Sequence, residues 1–404
     1  MSYVAGSEQG RPYMLQKVPE IVRARGLPGL ARKTIEHALW KTGLSLRLDR
    51  AIWTRVDAGP GISIRHCEER DVFANIPARF SDQEFSEFIR RDSARWSRQQ
   101  EAVFLLENAI VEPGRCLAIL PPNRIVAQSA ILETHYPEAS ARFRINKAFT
   151  RLDCAVLYDG SASRNYFHHF VDAVNRLHAL DKISLPSGIP FLINRASYDS
   201  IYFQHLSERS AYFRSLNWTV QEPGEWYHVR QLYRAQSIFE REPWERTRQL
   251  YRVQPQRGRR RVFLSRDSSR YTRALNNEVE IATVLRRFGF DTLHAEHLTL
   301  DEQIAVFRES EYIVALHGAG LVQQVFMNSQ TAHILEVMPK DYLKPLYYWL
   351  AYALGVKYYD AILGGKMDRR GNYGVDPSAV ERAAVRMLES TTSGRTYGLQ
   401  VVAD

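Results

Sequence analysis

The sequence predicts an α/β protein made of two doubly wound domains facing each other across a cleft, with a basic N-terminal extension. Three observations carry this expectation. At 404 residues the chain is long for one core, so two domains are the default. From Ala102 onward, short apolar runs alternate with helix-compatible segments, the pattern of parallel sheets covered by helices on both faces. That alternation starts afresh after Arg257-Gly258-Arg259-Arg260-Arg261, which marks a boundary. The expected divisions are therefore an extension over 1–100, domains over 101–256 and 257–375, and a closing helix and tail over 376–404.

The elements come in a clear order. Residues 21–44 have an amphipathic pattern with Arg23, Arg25, Arg32, Lys33 and Lys41, interrupted by Gly26, Pro28 and Gly29. Such a helix either rests on anionic headgroups or packs on its own protein. Ala102–Leu106 and Arg115–Leu120 read as strands separated by the Pro113-Gly114 turn. Cys154–Tyr158 and Ile189–Ile193 are further strands, followed by helices over 165–180 and 200–216. In the second half, strands are expected at 262–265, 312–316 and 332–337. Helices are expected at 277–288 (with Gly289 as C-cap), 300–309, 318–327 and 377–390, the last with proline at its start.

Composition narrows the function. The chain is 45% hydrophobic and 25% charged, which marks a globular rather than a disordered protein. It has no apolar run of eighteen residues and no apolar h-region in its first thirty. Cys67, Cys116 and Cys154 form no CxxC pair and read as reduced thiols, so the expectation is a cytoplasmic protein. The net charge of +9 points to an anionic partner: nucleic acid, an acidic lipid surface or a phosphorylated substrate. The 257–261 cluster is either part of that footprint or a solvated linker. No RNA-binding aromatic motif, zinc-finger spacing or recognition helix is present, and nucleic acid is set aside.

Four stretches carry chemistry. In Asn165–Leu177, Phe167, Phe170, Val171, Val174 and Leu177 recur at helical spacing and face a core. Asn165, His168, His169, Asp172, Asn175 and Arg176 then share the opposite face, which is either a solvated surface or a site. His168 and Asp172 are one turn apart. In Val262–Arg270, Arg266 lies just past a strand's carboxyl end, where open α/β sheets bind ligands, and Arg270 is four residues on. Guanidinium groups match phosphate oxygens bidentately; the alternative is pairing with Asp267 or Glu278. His317-Gly318-Ala319-Gly320-Leu321 closes an apolar strand and opens a helix, whose first amides are a seat for phosphate. Glu336 sits inside the apolar run Ile334–Val337, either accepting hydrogen bonds from a ribose or forming a structural salt bridge to an arginine. No Asp-x-Asp, zinc spacing or Gly-x-Ser-x-Gly elbow occurs, so neither a metal site nor a serine hydrolase is expected.

This ordered set (Asn165-Tyr166-Phe167-His168-x-x-x-Asp172, Phe263-Leu264-Ser265-Arg266-x-x-x-Arg270, His317–Leu321, Glu336-Val337-Met338-Pro339) resembles glycosyltransferase family 61 over roughly residues 100–360. The family includes bacterial capsule and lipopolysaccharide proteins. The resemblance implies a GT-B fold of two Rossmann-type domains, a nucleotide-sugar donor, no cofactor or obligatory metal, and inversion at the anomeric carbon. By position, it implies Asp172 as general base, with His168 orienting it or meeting the acceptor. Asn165 and His169 would lie on the acceptor side. Arg266 and Arg270 would meet the diphosphate, His317, Gly318, Ala319, Gly320 and Leu321 would form the phosphate-binding turn, and Glu336 would hold the ribose. The chain departs from the pattern at His169, where an aromatic residue is frequent, at Gln323 in place of Asn, and at Val337-Met338-Pro339 in place of Leu-Phe-Pro. The implied acceptor is a polysaccharide or glycolipid, with peripheral contact of the basic surface at the inner membrane leaflet. The alternative is a non-catalytic protein that binds a nucleotide sugar or polysaccharide.

Overall fold

The computed structural model describes residues 44–127, 148–158, 165–269 and 271–390. The amphipathic segment expected over 21–44 lies outside them except for Leu44, and Arg270 also lies outside.

The first half is a nine-stranded mixed sheet. Its strands are β1 (Thr54–Val56), β2 (Ile62–Asp71), β3 (Arg98–Val111), β4 (Ala118–Leu120), β5 (Arg124–Val126), β6 (Thr150–Leu157), β7 (Pro190–Asn194), β8 (Asn217–Gln221) and β9 (Tyr227–Gln236). They run in the order β1-β5-β4-β3-β9-β6-β7-β8, with β2 also on β3. The second half is a five-stranded sheet of β10 (Arg260–Ser265), β11 (Asp291–His294), β12 (Ser310–Leu316), β13 (His333–Pro339) and β14 (Tyr358–Gly364), all parallel, in the order β11-β10-β12-β13-β14.

The second sheet meets the doubly wound expectation, and the first corrects it. Strands β6 to β9 are parallel where neighbours, as helix–strand alternation requires. Strand β3, however, runs antiparallel to β2, β4 and β9. The Pro113-Gly114 turn is the reason on one side: it reverses the chain into β4, and the Glu112 carboxylate accepts hydrogen bonds from the amides of Gly114 (2.7 Å) and Arg115 (2.8 Å). The division expected at residue 100 falls inside β3, and residues 54–96 are part of the fold. The helix Gln83–Trp96, capped by Asp82, buries Phe85, Phe88 and Ile89 in the main core.

Two further expectations shift. The arginine cluster is a solvated linker only in part: Arg257 and Arg259 are exposed ahead of the strand, whereas Arg260 and Arg261 open β10, Arg260 pairing with Glu309 (3.5 Å) and Arg261 donating to the Phe288 carbonyl (2.7 Å). The helix expected over 200–216 breaks at Ser210 into Ile201–Arg209 and Ala211–Ser215, because Ser210 caps the second piece by accepting from Phe213 N (3.1 Å). Other ends obey the sequence signals. Thr299 and Glu302 form a capping box before Leu300–Glu309, Gly289 takes φ +77° after Glu278–Arg286, and Pro377 starts Pro377–Glu389.

Between the sheets lies one apolar interior. It runs from Val103, Val156 and Ile193 through Phe170, Val174 and Trp244 to Val325, Leu264, Ile313 and Ile334. Phe170 stacks on Tyr251 (5.1 Å between ring centres) and meets Phe326 edge-on (5.9 Å), so side chains of both halves interlock. A second cluster covers the far face of the parallel sheet, where Ile281 and Leu285 meet Val380 and Met387.

The segment from Tyr166 to Leu180 is helical but not uniform. Tyr166–His168 is α, His169–Ala173 is a π-turn, Val174–Arg176 is 3-10 and Leu177–Leu180 is α again. The wider turn adds a residue per revolution and rotates the later side chains about the axis, so the expected polar face is corrected at two positions. Asn175 is buried, its Oδ1 accepting from Thr247 Oγ1 at 2.9 Å. His169 is wholly buried beside Phe170 and Tyr202, and neither ring nitrogen has a hydrogen-bond partner. Burial, and secondarily His205, pushes His169 down to about 3. The native state therefore refuses a proton that the unfolded chain accepts below its usual value of about 6.5, and stability is lost as pH falls from there toward 3. The slope attributable to one such group is at most about 1.4 kcal/mol per pH unit. His169→Phe is expected to narrow the difference in melting temperature between pH 8 and pH 5, measured by calorimetry. An unchanged difference would show that His169 does not contribute to acid sensitivity.

Candidate functional site

The parallel sheet has its switch point between β10 and β12, from which the chain proceeds to β11 on one side and to β13 and β14 on the other. In open α/β sheets the crevice beyond the carboxyl ends of two such strands is the ligand site. Arg266 comes directly after β10 and His317-Gly318 directly after β12, so the topology alone brings them together.

Their contact is close. A Cβ added to Gly318 would stand 1.2 Å from Arg266 Nη2, so the guanidinium lies on the glycine in space that any side chain would fill. Gly318 has φ 168°, an extended conformation open to every residue, and the glycine is required by the arginine rather than by the backbone. Arg266 Nη1 donates to the Thr272 carbonyl at 3.1 Å. Among the described residues it forms no ion pair, and the alternative pairing with Asp267 or Glu278 does not occur. Glu278 instead pairs with His294 at 2.8 Å. Burial, and then the charge of Arg273, hold Arg266 below the usual arginine range. Two guanidinium groups near each other, neither in an ion pair among the described residues and with Glu296 acting on Arg266 only as the weakest charge, make a candidate place for an anion.

Ala319–Phe326 is a 3-10 helix rather than the expected α-helix. Its first amides still lack intrahelical partners and lie half-buried at Ala319 and Gly320, whereas Leu321 is wholly buried and offers no side-chain contact to a ligand. The His317 amide donates to Val337 O at 2.8 Å, extending the β12–β13 ladder into the turn.

Glu336 corrects an expectation. It lies within β13, has no exposed surface, and both its oxygens are engaged: Oε1 with His317 Nδ1 at 2.6 Å and Oε2 by the Tyr359 hydroxyl at 2.5 Å. No arginine among the described residues pairs with it, and with both oxygens engaged and no exposed surface it has none to offer a ribose. Its effect is to hold the His317 ring. Burial and then Glu336 push the Tyr359 hydroxyl well above the usual range, so Tyr359 is a fixed donor.

Sequence reasoning missed Arg273, Tyr342, Lys344 and Tyr347. Arg273 takes φ +65° in the loop after β10, and its guanidinium lies 4.9 Å from the Tyr342 ring centre. Lys344 Nζ stands 5.4 Å from the same ring, and burial lowers its ammonium below the usual value. Tyr342 and Tyr347 flank His317 at 5.7 and 5.1 Å. Their signal was available: 342–347 come after the carboxyl end of β13, on the ligand side of the sheet.

From the first half come His168 and Asp172. Asn165 Oδ1 caps the segment by accepting from His168 N at 3.1 Å. His168 Nδ1 meets Asp172 Oδ2 at 2.5 Å, both side chains partly exposed. Phe167 links this pair to the anion site, lying 5.6 Å from His168 and 5.8 Å from Tyr347. The structure thus gathers His168, Asp172, Arg266, His317 and Gly318, and excludes the His169 and Leu321 side chains.

Residues 166–334 match the family model Glycosyltransferase 61. No curated protein matches the chain. The matched span carries His168, Asp172, Arg266, His317 and Gly318. It is a glycosyltransferase family 61 domain, and the protein is a glycosyltransferase, an enzyme class that in general joins a nucleotide-sugar donor to a glycan acceptor.

Because Gly318 is unstrained, Gly318→Ala is expected to leave the melting temperature nearly unchanged while displacing Arg266 and weakening binding of a nucleoside diphosphate at least tenfold by titration calorimetry. Unchanged affinity would remove Arg266 from the anion site.

Proposed function

We propose that the protein is an inverting, metal-independent glycosyltransferase that moves a sugar from a nucleotide-sugar donor to a polysaccharide or glycolipid acceptor in bacterial cell-surface glycan synthesis. The observation that supports this most is Arg266 lying on the Gly318 turn with the charge of Arg273 acting on it, neither arginine in an ion pair among the described residues. Protein cations at that point neutralise a diphosphate without an ion. The GT-B reading assigns residues 257–375 to the donor and 101–256 to the acceptor. It is supported by the anion site rising from the parallel sheet and the His168–Asp172 pair from the other half.

The reaction is a single displacement. The acceptor oxygen attacks the anomeric carbon as the bond to the donor's diphosphate breaks, and the hydroxyl proton passes to the His168–Asp172 pair. With Nδ1–H donated to Asp172, His168 presents Nε2 as the proton acceptor, and Asp172 fixes the tautomer and stabilises the imidazolium. This reverses the division of labour that the family resemblance implies for the two residues. Negative charge on the departing nucleoside diphosphate falls on Arg266, Arg273 and the amides at Ala319 and Gly320. Arg270 joins this set by position in the motif.

Asp172→Asn is expected to keep donor affinity and lose transfer, read as sugar incorporation; near-normal turnover would refute a role for the pair. If His168 takes the proton, His168→Ala is expected to lower kcat while leaving donor affinity unchanged. Arg266→Ala is expected to lower kcat by about 100- to 1000-fold, the usual loss for one donor to a developing oxyanion.

No helix among the described residues is long and apolar enough to cross a membrane. A cytoplasmic enzyme held at the inner leaflet by basic surface accords with this, and release from membranes by high salt tests that placement.

A further inference from the structure

Away from the transfer site, β2 and β3 carry an arrangement that the chemistry above does not use. Their register places Glu68 directly opposite Glu101. Like charges opposed across strands destabilise a sheet, and Glu101 is also buried, at 2% exposure. The register shifts between Ile64 and His66, and from there strand alternation puts His66 on the face of Glu68 two residues on. His66 Nε2 is buried and has no hydrogen-bond partner among the described residues. Two carboxylate oxygens face it just beyond hydrogen-bonding reach: Glu101 Oε1 at 3.7 Å and Glu68 Oε1 at 3.8 Å.

Those separations have a simple meaning. Ligand atoms about 2.1 Å from a tetrahedral ion lie about 3.4 Å from one another, close to what is found here. The three donor atoms fall within 4.8 Å of one another. The remaining carboxylate oxygens are held from outside, as ligands usually are. His178 Nδ1 meets Glu101 Oε2 at 2.8 Å, and Arg70 Nη2 meets Glu68 Oε2 at 2.5 Å. Glu242 stands 3.9 Å from the other nitrogen of His178.

We propose that His66, Glu68 and Glu101 bind one divalent transition-metal ion of the zinc type. The imidazole nitrogen favours such an ion over magnesium or calcium. The site is structural: it joins β2 to β3 and, through His178, to the end of the helical segment that bears His168 and Asp172. It is separate from the transfer chemistry, which needs no ion in this account.

The test uses the full chain, stripped with a chelator, incubated with zinc chloride and passed through a desalting column before elemental analysis. One zinc per chain and a rise in melting temperature with added zinc are expected. His66→Ala and Glu68→Gln should each weaken zinc binding at least tenfold. Glu68 is partly exposed, so its amide variant keeps the fold, which circular dichroism verifies. Arg70→Gln removes the ion pair to Glu68 without removing a ligand and should retain one zinc. Zinc retained equally by the His66→Ala/Glu68→Gln double variant, or no zinc on the parent chain, overturns the proposal. Loss of zinc in Arg70→Gln as severe as in Glu68→Gln also overturns it, since the effect would then lie in the ion pair.

Discussion

A carboxylate buried in a parallel strand is the constraint on which the candidate anion site of this enzyme rests. Glu336 has no exposed surface, and a charge so placed is tolerated only when both oxygens are engaged. His317 and Tyr359 supply the partners, one from the neighbouring strand end and one from β14. Satisfying Glu336 therefore sets the His317 ring, and the His317 amide on Val337 sets the backbone behind it. Gly318 comes next in a fixed position, which gives Arg266 a floor to lie on. An interior electrostatic requirement is thus converted into the placement of a half-buried cation.

The other half contributes by a different device. A regular α-helix from Tyr166 would have kept His169 and Asn175 on the side of Asp172. The π-turn turns both inward, where they meet Tyr202 and Thr247, and leaves His168 and Asp172 together at the crevice. Phe167 and Tyr347 then bridge the two contributions with edge-on ring contacts. The site has rigid walls because its positioning residues are aromatic and largely packed.

Much of this was legible in the residues. Strand ends and helix stops in the second half are set by Val/Ile-rich runs, Thr299, Gly289 and Pro377, all local signals. The i,i+4 pair His168–Asp172 and the position of Arg266 beyond β10 were also readable, because spacing and strand polarity suffice for both. The features that escaped depended on partners distant in sequence. Nothing near Glu336 announces Tyr359, and nothing near His169 announces that an extra residue per turn will bury it. The direction of β3 was hidden for a similar reason: pairing with β2 and β9 is a choice between strands tens of residues apart, and an apolar run reads alike in either direction.

The continuous interior between the two sheets bears on how substrates arrive. Two halves joined only by a linker can swing apart and clamp down around a ligand. Here Phe170 is wedged against Tyr251 and Phe326, and such a swing would pull aromatic rings out of one another and wet them. The molecule is accordingly a single block, and access to the candidate site belongs to local movement around it rather than to the parting of two jaws.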